Sequence, residues 1–554
     1  MSRRSDALFV VVVVAAALAW VLPFRQPDCN TGSHFALVQT LASGSRTIDS
    51  VHGQSCDISW WHGHYYANKA PGLALVTVPW YLLVKAVGGL RPDPDAHGAF
   101  PRAMRAMPRR DLWLMGLWGS VLPALGLLVL VRRLTDRLAP VRGTAAAAIL
   151  ASATLLAPFG GLFFSHALGA FLALAAFSAV AASPSLRRTA AAGLLAGAAV
   201  VVEYPNAIIA LVVGLYAVAG THRRVRAAVL YSVGCLAGVA PLIAYGWWTF
   251  GTPLHLSYVG AVLIPGVTGH DVLGANSVGF FGVGLPSAGR AIAILAGGKG
   301  LLTVSPVLVL APWGIKRLSQ TGRRREAAAI GAAVLLYLLY NAGYYSPLGG
   351  ATPGPRFLIV ILPFLAIAVA AGAGEHPFAT AALTVASALV LLAAVVTQPL
   401  ISPPYTTGDW WHWVWHGKFT STIIAAGQHS WPGAALIAFA VTVGLAAGAA
   451  SLVDRTPVGG ITPTLTALAG WSCLLLGFEE LSHSTAGRVA ILVSIVALLA
   501  SSRLGTVGVV TAAATALAVA LAASPQVCLA LTAAIAIATL ALSVARRRAP
   551  AATS

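Results

Sequence analysis

Residues 60–89 read WWHGHYYANKAPGLALVTVPWYLLVKAVGG, and where this segment lies decides the topology of the whole chain. Its first half carries four aromatics, His62, His64, Asn68 and Lys69. A solvated turn has no use for four aromatics, and a membrane span does not take a lysine, so 60–72 reads as a site. Its second half, 72–89, is an apolar run that either crosses a bilayer or lies flat on it.

The surroundings are membrane-like. Of 554 residues 58% are hydrophobic and 9% charged, and apolar runs of about 15–22 residues recur between short Arg- or Pro/Gly-bearing breaks. That pattern predicts an all-α polytopic membrane protein. The first run, after Ser2-Arg3-Arg4, lacks a small-residue cleavage site behind it and reads as a retained helix. The net charge of +19 is spread as arginine clusters between spans, as the positive-inside rule requires, so nucleic acid is not an expected partner. There is no P-loop, no G-x-G-x-x-G after a strand and no C-x-x-C, which excludes a cytosolic nucleotide-using domain.

Parity settles 72–89. If it does not cross and the N-terminus is inside, 21 basic residues collect on the inner side and five on the outer side beyond the first long loop. If it crosses, every later loop flips and the bias inverts. The expectation is therefore sixteen spans, among them 143–158 and 301–316 as continuous helices, with 72–89 as an amphipathic helix in the outer interface. The first outer loop then runs 25–111. A working module covers 1–397, a Trp/Pro-rich outer loop covers 398–431, and 432–554 holds C-terminal helices to which no role is assigned.

This topology gathers the unusual polar residues on one face. Asp28 and Asp57 are candidate bases for a hydroxyl nucleophile, with helix capping and an ordinary turn as their plain alternatives. Lys69 at a helix start with Pro71, Arg356 behind a Gly/Pro-rich loop and Lys299 in AGGKGLL suit a phosphate or anionic headgroup. Asn30, His62, His64, Tyr65, Tyr66, His166, Glu203 and Tyr204 complete the expected pocket. His62, His64, His166, His255 and His270 show no metal-ligand spacing, so no metal or other cofactor is expected. Cys29 and Cys56, each beside one of the aspartates and both in the outer loop, are expected to form a disulfide.

HFALVQTLASG (34–44) followed by HGHYYANKAPGLALVTVPWYLL (62–83) resembles the first outer loop of the polyprenyl-phosphate-sugar-dependent membrane glycosyltransferases of the GT-C class. That group includes the protein O-mannosyltransferases and the lipid A aminoarabinose transferases. FFSHALGAFLALAAF (163–177), VVEYPNA (201–207) and GPRFLIVILPFLAI (354–367) are similar to its later segments. The resemblance implies a GT-C-like helical module with a long extracytoplasmic first loop bearing juxtamembrane helices. It also implies a polyprenyl-phosphate sugar donor, and an acceptor hydroxyl on lipid, glycan or protein. The setting would be a bacterial cytoplasmic membrane with the site on its extracytoplasmic side. Lys69 matches the lysine that contacts the donor phosphate in that group, and Asp28 lies nearest its acidic position. Asn68 and Ala70 depart from its acidic residue and its first proline. The competing class is a secondary transporter or lipid flippase, in which paired repeats and interrupted mid-membrane helices are expected; polar residues gathered on one side speak for the enzyme.

Overall fold

The computed structural model describes residues 3–91, 97–182, 185–253, 255–259, 278–279, 282–402, 404–424 and 431–452. In chain order its main elements begin with α1 (Arg3–Val21), α2 (Cys29–Ala42), strands β1 (Ile58–Trp61) and β2 (His64–Ala67), and α3 (Gly72–Ala86). There follow α4 (Arg109–Leu138), α5 (Gly143–Ser152), α6 (His166–Ala182), α7 (Leu186–Val202), α8 (Ala207–Ala219) and α9 (Arg224–Phe250). The series closes with α10 (Arg324–Gly343), α11 (Leu362–Gly372), α12 (Pro377–Val396) and α13 (Trp431–Ala450). Among the described residues five helices are long and apolar enough to cross a membrane: α4, α9, α10, and most of α12 and α13. The expected spans 461–478, 487–501, 504–523 and 526–545 lie outside the described residues.

Two expected spans are not continuous. The 301–316 run breaks at Ser305, whose ψ of 63° leaves the helical region, because the residue before Pro306 is pushed out of it. The two helical arms, Ala288–Val304 and Pro306–Gln320, meet at 103°. The 143–158 run stops after Ser152, where Thr154 Oγ1 takes the helix's own bonds, donating to Leu150 O and accepting from Leu156 N. A hydroxyl that offers the backbone another partner ends a helix in this way.

Small residues bring the helices together. In α7 and α9 the pairs Gly193/Gly197 and Gly234/Gly238 face one another. A Cβ on Gly193 would stand 2.2 Å from Tyr231 O, and one on Gly238 2.3 Å from Leu194 O. Four-residue spacing of glycine lets two backbones touch where apolar solvent gives side chains no drive to associate.

The first loop is a folded unit rather than a connection. Phe35, Leu37, Val38, Ile48, Ile58, Leu73, Tyr81 and Met107 are buried in a core of their own, closed on the bundle side by Met115, Phe163, Leu168, Val202 and Tyr245. Residues 58–67 form an antiparallel hairpin pairing Ile58 with Ala67 and Trp61 with His64. Its two central residues, His62 and Gly63, both have positive φ (48° and 87°), the backbone hand that matches the twist of a two-residue hairpin. Among the described residues this hairpin is the exception to an all-α fold. The 15 residues of α3 span about 22 Å, short of the ~30 Å bilayer core. Leu73, Ala74, Thr77, Tyr81 and Val84 face the protein, while Leu75, Val76, Leu82 and Leu83 are exposed. Trp80 stacks on Trp118 of α4 at 5.3 Å, and Trp118 Nε1 donates to Val76 O.

Candidate functional site

The helix start at Pro71 sets Lys69 just before the first turn of α3. Lys69 is only 5% exposed, and its Nζ donates to Asp57 Oδ2 at 2.7 Å. Burial lowers its affinity for a proton, while Asp57 restores part of it. Arg356 opens the short turn Arg356–Ile361 before α11 and is also buried, with its Nε lacking a hydrogen-bond partner. Its guanidinium lies 5.6 Å from the Phe164 ring and 5.5 Å from Phe357. Gly349 makes room for it, since a Cβ there would stand 2.6 Å from Arg356 Nε. The charge of Arg356 reaches Lys69 and depresses its basicity further.

Cys29 and Cys56 are joined by a disulfide, with Cα atoms 5.0 Å apart. The bridge brings the start of α2 to the segment before β1, and so brings Asp28 toward Asp57, whose charge raises the cost of ionising Asp28. The two carboxylates nevertheless have separate partners. Asp28 caps α2, accepting from Asn30 N at 2.8 Å, Thr31 N at 3.3 Å and Thr31 Oγ1 at 2.9 Å. Burial pushes its carboxyl above the usual range against those bonds, with a smaller push from Asp57. Asp57 is the counter-charge of Lys69.

Around this pair lies a set of buried polar atoms without hydrogen-bond partners: Asn30 Oδ1, His34 Nδ1, both amide atoms of Asn68 and of Gln54, and His166 Nε2. Buried polar groups are nearly always paired, so such a concentration marks a place built to hold something polar. His34 is a member that the sequence reading passed over. It sits four residues after Asn30 on one face of α2, so the pairing of those two positions was the available signal. Burial, then the charges of Lys69 and His166, hold its imidazole well below the usual range, and it is neutral at physiological pH. Tyr345, also passed over, feels both Asp57 and Arg356; burial pushes its hydroxyl up to about 12.

His166 and Glu203 meet at one edge of the cluster. His166 Nδ1 contacts Glu203 Oε1, and Ser165 Oγ donates to the same oxygen at 2.7 Å. Glu203 is the C-cap of α7, and Tyr204, in the short turn that follows, packs on Tyr258 at 5.5 Å and contacts Ser257 Oγ at 3.4 Å.

Three expectations need correcting. His62 and His64 do not line the buried cluster; the hairpin carries them to its exposed tip, where His64 Nδ1 meets Asp49 Oδ2 at 2.7 Å. Tyr65 stacks on His52 at 4.5 Å, and Tyr66 packs on Phe250 at 4.8 Å, so both serve as hairpin anchors. Lys299, expected beside the other two cations, is buried but donates to Ile401 O at 2.6 Å, tying the 297–300 turn to the segment after α12. Among the described residues no group of three or more His, Cys, Asp or Glu is arranged to hold a metal ion; His270 lies outside them.

No protein-family model and no curated protein matches the chain. Solved structures similar to it include two of one protein. One is ArnT from Cupriavidus metallidurans in the apo state, at 14% identity over 90% of this chain and 80% of that one, with a TM-score of 0.49. The other is ArnT from Cupriavidus metallidurans bound to undecaprenyl phosphate, at 13% identity over 99% of this chain and 81% of that one, with a TM-score of 0.48.

Proposed function

We propose that the protein is a glycosyltransferase that moves a sugar from a polyprenyl-phosphate donor to an acceptor hydroxyl on lipid, glycan or protein. In this reading residues 1–397 are the catalytic module, α3 lies along the outer interface of a bacterial cytoplasmic membrane, and the site faces the extracytoplasmic side. One observation carries the reading. A buried lysine at the start of a juxtamembrane helix shares its field with a buried arginine, and both stand among unpartnered polar atoms.

The chemistry follows from that arrangement. The sugar's anomeric carbon loses its bond to a phosphate oxygen, and the bonding electrons leave on the phosphate. A cation aimed at the departing oxygens stabilises that charge most where water is scarce. Lys69 meets it as a compact ammonium, and Arg356 as a planar fork able to take two oxygens at once. The free N–H groups of the first turn of α3 add the positive end of a helix. The exposed apolar face of α3 suits a donor whose tail remains in the lipid.

The test is direct. Purified protein in nanodiscs is incubated with a panel of radiolabelled polyprenyl-phosphate sugars, and release of free polyprenyl phosphate is followed. Turnover of at least one donor supports the reading; no turnover and no binding across the panel overturns it.

A further inference from the structure

Within the cluster, the His166–Glu203 pair has no part in holding a phosphate. His166 begins α6 and Glu203 ends α7, so the contact fastens two helix ends to one another. Nδ1 rests against the carboxylate but out of hydrogen-bonding alignment, and the opposite edge of the ring presents Nε2; both nitrogens are buried and lack a hydrogen-bond partner. The ring is walled by Phe159, Phe164 and Phe357 at 5.4, 5.8 and 6.2 Å. Phe164 and Phe357 are also the rings that carry Arg356. An imidazole with a carboxylate on one nitrogen and the other nitrogen bare is what proton abstraction from a hydroxyl requires.

The alternatives are less free. Asp28 spends its oxygens on capping α2, and Asp57 is tied to Lys69. His34 also has a bare nitrogen, but it stands in the field of Lys69 and Arg356 and is a weak base.

Resting on the glycosyltransferase reading above, we propose that His166 is the catalytic base of the transfer and that Glu203 is its positioning residue. Nε2 takes the proton of the acceptor hydroxyl as that oxygen bonds to the anomeric carbon. The anomeric carbon–phosphate oxygen bond breaks, and its electron pair leaves on the polyprenyl phosphate. The proton ends on the imidazole, and Glu203 balances the new charge.

Several other titratable groups face the pair. His34 approaches from α2 and Arg356 from the 356–361 turn, with the Lys69–Asp57 pair beyond His34. Tyr258, Tyr337 and Tyr340 face Glu203. Without the carboxylate the ring is free to turn, so Glu203→Gln should lower kcat while donor binding holds, and Glu203→Asp, which keeps a carboxylate, should restore part of it.

The experiment measures hydrolysis of whichever radiolabelled polyprenyl-phosphate sugar the wild type turns over, with water as acceptor. Binding of undecaprenyl phosphate is measured in parallel as a check on folding. The proposal expects His166→Gln to lose about 10²–10⁴-fold in kcat with binding within threefold, and Glu203→Gln to lose kcat at unchanged binding with partial recovery in Glu203→Asp. A kcat in Glu203→Asp no higher than in Glu203→Gln, or loss of binding in step with rate in both His166→Gln and Glu203→Gln, overturns it and leaves the contact structural. A wild type that turns over no donor overturns the glycosyltransferase reading, and the base with it.

Discussion

Lys69 Nζ and Asp57 Oδ2 stand 2.7 Å apart with both side chains nearly closed off from solvent. Removing one partner of a buried ion pair leaves an uncompensated charge and costs about 3–5 kcal/mol. Asp57→Asn should therefore be much less stable than the wild type in detergent unfolding. The double variant Asp57→Asn/Lys69→Met should recover at least ~1 kcal/mol against the sum of the singles. Strict additivity would mean that the pair is not energetically coupled.

The same lysine has a second expected effect. Lys69→Ala and Arg356→Ala should each lower turnover by about 10²–10³-fold, the usual loss when one donor to a developing anion is removed. Arg356→Lys should recover only part of it, because an ammonium cannot take two oxygens in one plane. Near-normal turnover in both alanine variants would remove them from the donor-phosphate site.

Asp49 holds the hairpin through acid-sensitive bonds. Burial pushes its carboxyl up, but the Tyr65 N–H, His64 and Thr47 Oγ1 outweigh this and hold it below the usual carboxylate range. A depressed folded value means that the unfolded chain binds more protons in acid. The stabilisation is thus present above the unfolded value of ~3.9 and lost as pH falls through the folded one. Its side chain is 40% exposed, so the contribution stays below ~1 kcal/mol. Thermal unfolding below about pH 4 should show the wild type losing stability faster than Asp49→Asn; parallel curves would refute the assignment.

Gly72 is where α3 meets α7. A Cβ there would stand 2.6 Å from Val202 Cα and N, and backbone does not yield. Gly72→Ala should cost about 1–3 kcal/mol and reduce turnover by shifting the start of α3, and Lys69 with it, away from α7. Gly289→Ala, where nothing lies within 4 Å, is the control and should be neutral or slightly stabilising. Equal stability of the two variants would contradict the packing.

The orientation across the membrane is tested by cysteine labelling. His62→Cys, on the exposed hairpin tip, should react with an impermeant maleimide added outside, and Arg324→Cys, at the start of α10, should not. An outer-side label at position 324 would invert the topology.

Apolar runs and arginine spacing made the helical architecture readable from the amino acids, because lipid imposes length and charge rules that few sequences satisfy by accident. Lys69 and Arg356 stood out as candidates for the same reason, as cations where the expected outer face has few. The hairpin was not. Trp60 to Ala67 alternates poorly, and its turn depends on His62 adopting a positive φ that only glycine or asparagine would have advertised. The role of Lys299 was hidden because its bond to the carbonyl of Ile401 depends on a partner that no spacing encodes, and for Asp28 the residues alone could not separate the cap from the base. His34 was hidden by its apolar neighbours, which read as helix core.

The link between Cys29 and Cys56 also separates two events in the life of the chain. Insertion of the helices needs only a translocation machinery, whereas stitching the 25–111 unit needs an oxidant on whichever side that unit emerges. A host or cell-free system that supplies the first without the second would yield full-length, correctly inserted molecules whose first-loop unit was never stitched to the start of α2. Recovered mass would then overstate correctly folded protein, and the difference would vanish when a thiol oxidase is supplied during synthesis.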